Sequence, residues 1–185
     1  MINSTVPATG PLPAGVSQPY VVLTVDGRTI TNPGPGGYAF LAMLHGVDGQ
    51  EVATHAASGA SRHITTPNRA MVFAALQALA FVSLEQAEGR WPVCPVKLTT
   101  YLDYVIKGIV RDLPRWRVNG WKGFDGKLIK NDDLWQKIAP LVEKLDLSCR
   151  WQKKGTGGQA AIRAAHLAAK AADSAQMRGV TLHLL

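Results

Sequence analysis

The sequence predicts an α/β fold, a mixed β-sheet with helices on both faces. Two patterns carry this. Near the N-terminus, three strand-like runs follow one another with only turn-forming residues between them, as in antiparallel strands joined by hairpins. Further on, short strand-like runs alternate with helical segments, which sets helices across the faces of a partly parallel sheet. The 185 residues, 46% of them hydrophobic, suit one domain with a full core.

Residues 1–19 are rich in Pro, Gly, Ser and Thr, lack periodicity and are expected to form a disordered arm, a candidate site for a protein partner. The domain is expected over 20–175 and an apolar tail over 176–185. Strands are predicted at 20–26, 36–45 and 50–58, with Gly46 to Gly49 as the second turn. Thr66 is a suitable N-cap and Pro67 a suitable first helical residue for a helix to about Glu88. That helix is apolar nearly all round and so should be buried; Gly89 and Pro92 stop it. A fourth strand covers 96–101. Helix is expected from Tyr104 to Ile109, before Pro114, a Trp- and Arg-bearing segment and a Gly-rich loop around 120–126. Asn131 or Asp132 caps a helix to about Leu145. A fifth strand at 147–152, a basic loop at 153–158 and an Ala-rich helix over 159–175 follow.

Formal net charge is +7, which favours a polyanionic partner. Cys94 and Cys149 show no metal-ligand spacing, so a reduced, cytoplasmic setting is expected. No apolar run is read as reaching transmembrane length, and no membrane partner is expected.

Two stretches carry chemistry. Asp26 ends the first strand and enters a turn packed with Gly and Pro. It either hydrogen-bonds its own turn or serves as an acid at a strand tip, where open α/β sheets place metal ligands. Between Tyr104 and Asn131 lie Lys107, Arg111, Arg115, Arg117, Lys122, Lys127 and Lys130, opposed only by Asp112 and Asp125. Trp116 and Trp121 are interleaved with them. Cations displace counterions from a nucleic-acid backbone while indoles pack on sugars or bases; the alternative is a solvated helix face with two packing tryptophans.

Several colinear pieces resemble type 1 ribonuclease H: Thr24-Val-Asp26-Gly, Asn32-Pro-Gly-Pro-Gly-Gly37-Tyr38, Thr65-Thr-Pro-Asn68-Arg69, Gly120-Trp121-Lys122, Lys130-Asn131 and Asp133-Leu-Trp135-Gln136. The resemblance covers about 20–172. It implies a ribonuclease H-like fold with a five-stranded mixed sheet in the order 3-2-1-4-5. It also implies a basic protrusion at 104–131 that grips an RNA–DNA hybrid. Members of this family cut the RNA strand with two Mg²⁺ ions held by four carboxylates. Asp26 matches the first carboxylate. The other three positions hold Met71, Tyr101 and Ala165, and the family's loop histidine falls at Gly155 or Thr156.

Substrate positions survive better. Thr66, Arg69 and Asn131 match the family's DNA-phosphate pocket, Trp116 an indole on the DNA sugar, and Asn32 and Asn68 contacts to the RNA-strand minor groove. Each has an ordinary alternative: Thr66 and Asn131 as caps, Arg69 as surface charge, Trp116 as core. Pro67 and Asp103 depart from the family pattern. The sequence therefore predicts a ribonuclease H-like protein that binds RNA–DNA hybrid or duplex and has lost metal-dependent hydrolysis, with no cofactor expected. One alternative is an active hydrolase with Mg²⁺ on a rebuilt site of Asp26 and Asp103; the other is a non-catalytic structural or protein-interaction module.

Overall fold

A computed structural model describes residues 18–178. The arm expected over 1–19 lies outside the described residues except for its last two, and the tail over 176–185 except for its first three. Five strands form one sheet in the order β3-β2-β1-β4-β5: β1 (Tyr20–Thr29), β2 (Gly36–His45), β3 (Glu51–Ala60), β4 (Val96–Thr100) and β5 (Leu147–Trp151). The first three pair antiparallel, whereas β4 joins β1 and β5 joins β4 in parallel. The expected order and mixed character are both observed.

Alternation along β1 and β2 sorts the side chains between two faces. Val21, Leu23 and Val25 join Phe40, Ala42 and Leu44 in the main core with α1 (Pro67–Ala87). Thr24 and Asp26 take the other face, beneath α5 (Gly158–Met177), whose Ile162 and Ala165 line the same pocket. Glycine sets both approaches: a Cβ at Gly27 would overlap the backbone of Ala70 and Met71 in α1, and one at Gly37 the backbone of α5.

Thr66 caps α1 as expected, its hydroxyl accepting from the Arg69 amide at 3.2 Å. By length and composition α1 is long and apolar enough to cross a membrane, which corrects the expectation that no run reaches that length. Here its apolar surface is spent on the core.

Two further boundaries differ. β1 continues through Asp26 to Thr29, because β2 keeps pairing with it as far as Gly36. Its parallel pairing with β4 stops at Thr24, so Asp26 stands where the sheet loses one neighbour rather than at a strand tip. Helix also passes Pro114: α2 (Asp103–Lys107), a π-helical turn (Gly108–Asp112) and α3 (Leu113–Val118) run on without a break. Pro114 is tolerated inside this continuous helical run because the wider turn before it resets the hydrogen-bond register. Gly108 lets that turn lie on the Trp135 indole of α4 (Asp132–Lys144).

Candidate functional site

Asp26 is 5% exposed. The Tyr101 hydroxyl, carried just past the end of β4, donates to Asp26 Oδ1 at 2.9 Å. Both residues line a pocket of about 250 Å³ with Thr24, Gln152, Lys154 and Ala165. Met71 is 1% exposed, and its thioether sulfur accepts from the Thr100 hydroxyl at 3.6 Å. Asp26 and the three residues that the resemblance matches to the other carboxylate positions thus lie at one end of the sheet, with a phenol bonded to Asp26.

These donors do not suit the two Mg²⁺ ions that the resemblance implies. Mg²⁺ takes hard oxygen ligands in near-octahedral geometry; here one carboxylate stands with a thioether, a methyl group and a hydroxyl that donates to it. Asp103, offered above as a second ligand, is corrected: it accepts from Lys107 at 2.8 Å across one helical turn and does not line the pocket with Asp26. Among the described residues no cluster of three or more His, Cys, Asp or Glu could hold a metal. His166, next to Ala165, faces a different pocket with Leu41 and Glu51.

Burial holds the Asp26 carboxyl above the usual carboxylate range. The Tyr101 hydroxyl, the Gly27 amide and the charges of Lys154 and Arg28 offset part of that rise. Burial also raises the Tyr101 phenol, and the neighbouring Asp26 charge adds to it, so the hydroxyl keeps its proton. A folded-state carboxyl that binds its proton more tightly than the unfolded chain makes folding less favourable as pH rises through its folded pKa. Asp26→Asn preserves an acceptor for Tyr101. It is expected to raise the melting midpoint at neutral pH, with the gain shrinking as pH falls toward about 3.9. Thermal melts of both proteins across that range check this.

The phosphate-pocket residues come together, with an addition the sequence did not disclose. Arg69 makes a two-pronged ion pair with Asp133, at 2.7 and 2.6 Å, and its Nη1 also donates to Asn131 Oδ1 at 3.3 Å. That pairing holds the Asp133 carboxyl below its ordinary range. Asn131 has a left-handed backbone, φ 62°. Its carbonyl accepts from the Leu134 and Trp135 amides, but its side chain does not cap α4. It is engaged instead by Arg69 and by the Tyr104 hydroxyl, which also accepts from the Trp135 indole at 3.1 Å. Asn32, Thr66 and Asn68 are exposed on the loops and helix start nearby.

Trp116 is corrected. It is 7% exposed and its ring lies 5.3 Å from that of Trp135, so it is a core residue and presents no face to a sugar. Trp121 is half-buried with a left-handed backbone, while Lys122 is exposed. Much of the positive charge of this segment is spent internally. Arg111 and Arg115 pair with Asp112, Arg117 with Glu143 and Lys107 with Asp103. Lys122, Lys127 and Lys130 have no ion-pair partner among the described residues. Between them Phe124 is 92% exposed, with the Arg115 guanidinium 4.5 Å from its ring centre. The density of Lys and Gly around Phe124 was the signal that could have singled it out.

The sheet order, the buried acid on its central strand and the helix pair across its two faces define a ribonuclease H-like fold. The RNase H family model matches residues 18–173, and the chain belongs to the ribonuclease H family. It is 34% identical over 148 residues to a ribonuclease H of Pseudomonas paraeruginosa, covering 80% of this chain and 90% of that one. It is 35% identical over 157 residues to a ribonuclease H of Phenylobacterium zucineum, covering 85% and 93%. Among solved structures it is similar to LC9-RNase H1, a type 1 RNase H with the type 2 active-site motif. There the TM-score is 0.66 and the identity 26%, over 90% of this chain and 76% of that one. LC11-RNase H1, solved in complex with RNA/DNA hybrid, shares the fold at a TM-score of 0.59 and 20% identity, over 84% and 99% of the two chains.

Proposed function

We propose that this ribonuclease H-like chain binds RNA–DNA hybrid or duplex nucleic acid and does not cut it by the two-metal route. The observation that carries the reading is the Tyr101 hydrogen bond to Asp26. The group at that position donates to the acid instead of adding a second negative oxygen, so the site lacks the oxygen cage that Mg²⁺ requires. Binding is supported by Arg69 and Asn131 in mutual contact beside the α1 N-terminus. The exposed cations Lys122, Lys127 and Lys130 support it too, as does the hybrid bound by LC11-RNase H1, a protein of the same fold.

The test is a cleavage and binding panel over hybrid, double-stranded RNA, double-stranded DNA and single strands. No cleavage is expected with Mg²⁺ or Mn²⁺; metal-dependent cutting that Asp26→Asn abolishes would falsify the reading. Affinity for hybrid or duplex should fall steeply with salt. Arg69→Ala should weaken it about three- to tenfold, within the range of a charge-assisted phosphate contact. Asp133→Asn should strengthen it, because the guanidinium is then released from its carboxylate. If both variants bind as wild type does, the phosphate pocket is elsewhere.

A further inference from the structure

The pocket at Asp26 carries the opposite charge from a metal site. Lys153 and Lys154 line it along with Asp26, which is its sole acidic lining residue. The Lys154 ammonium lies 5.2 Å from the centre of the Tyr101 ring, whose hydroxyl is bonded to Asp26. Arg28 follows Asp26 by two residues within β1, which puts both on the same face of the strand, and its charge acts on Asp26 and on Tyr101. Arg28, Lys153 and Lys154 have no ion-pair partner among the described residues. No Asp or Glu occurs between Asp146 and Asp173, so neither the loop nor most of α5 can supply a counter-charge. Even with Asp26 ionised, two lining cations face one lining acid, and Arg28 adds charge from just outside the lining. The opposite wall, Ala161, Ile162 and Ala165, is apolar and supplies no acid.

We infer that this pocket seats a phosphodiester group of the bound nucleic acid directly, on the Lys153 and Lys154 ammoniums that line it, with the Arg28 guanidinium adding charge from the same face of β1 and no divalent cation between protein and phosphate. A cluster of carboxylates repels a phosphate until cations intervene; here the chain carries the cations itself. Lys153 and Lys154 offer point charges to the phosphate oxygens, and Arg28, beside the pocket on β1, a further cation whose planar fork suits a phosphate at its edge. Asp26 is the one group in the pocket that opposes the ligand. The inference rests on the proposal that the chain binds nucleic acid, and it assigns that binding a place and a dependence on metal.

The experiment measures the affinity of the full chain for a labelled RNA–DNA hybrid at matched ionic strength, in EDTA and in Mg²⁺. Wild type should bind in EDTA at least as tightly as in Mg²⁺. Lys154→Met and Arg28→Met should each weaken binding in EDTA about three- to tenfold and flatten the salt slope by about 1. Lys144→Met, a cation at the far end of α4, serves as the control for general charge loss. Asp26→Asn should tighten binding in EDTA, whereas a metal-dependent seat would lose affinity with its acid. The inference alone is overturned by a wild type that needs Mg²⁺ to bind, by Lys154 and Arg28 variants that match Lys144→Met, or by Asp26→Asn that weakens binding in EDTA. A wild type that binds no duplex in either buffer overturns it together with the nucleic-acid reading.

Discussion

Met71→Glu, Tyr101→Asp and Ala165→Asp, introduced together, are expected to strip most of the stability from the metal-free fold. Met71 is buried, and an unpaired carboxylate in its place carries a desolvation cost of about 3–5 kcal/mol. Tyr101→Asp removes the hydrogen bond to Asp26 and sets a second negative charge beside the acid. Ala165→Asp adds another on the α5 side of the same pocket. The total approaches the 5–15 kcal/mol that a whole domain typically possesses. Mg²⁺ should then restore part of the loss, because a ligand held only by the native state stabilises it by about 2.7 kcal/mol at a hundred times its Kd. Melting curves with and without Mg²⁺ check this, wild type showing no shift and the triple variant a saturable one. A wild-type shift that depends on Asp26, or a folded triple variant without one, contradicts the assignment of these positions.

Gly27→Ala should destabilise the fold by about 3 kcal/mol or more, at or beyond the upper end for overpacked cores. The new methyl group meets the backbone of Ala70 and Met71, and no side chain can rotate away to make room. Relief requires α1 to lift from β1, which carries Thr66, Asn68 and Arg69 with it. Hybrid affinity should therefore drop in the remaining folded protein as well. Gly49→Ala is the contrast: its φ is 76° but a Cβ meets nothing within 4 Å. It should cost only the left-handed backbone penalty of about 1–2 kcal/mol and leave binding intact. Urea denaturation of the two variants against wild type measures both effects.

Much of the architecture was legible because it depends on local chemistry. Short continuous apolar runs bounded by turn residues marked β1 and β2, and Thr66-Pro67 marked the start of α1 with its cap. The Asn-Pro-Gly-Pro-Gly-Gly run and the Asp133-Leu-Trp135 box pointed to the family and so to the sheet order. The same sequence placed Asp26, Met71, Tyr101 and Ala165 in one site, because family resemblance assigns position without requiring that the residue types be kept.

What the sequence could not decide was which polar groups find each other. Counting charges between Tyr104 and Asn131 set seven cations against Asp112 and Asp125 alone, yet Asp112 occupies two of them, and Asp103 and Glu143, both outside the segment, take one each. Arg69 meets Asp133 from 64 residues away, and Tyr101 meets Asp26 from 75. No local pattern encodes such pairs, since they form only when the sheet and α1 bring distant backbone together. Trp116 shows the same limit: an indole among arginines suits either a nucleic-acid surface or a core, and the packing of the helix on Trp135 chose the core. The sequence by itself determined the family and the order of elements, and its resemblance pointed to Met71, Tyr101 and Ala165 at the positions of three carboxylates. The tertiary structure alone decided that the Tyr101 phenol bonds to Asp26 and that Lys153 and Lys154 line the same pocket, because hydrogen bonds and charge contacts depend on distance in space and not along the chain.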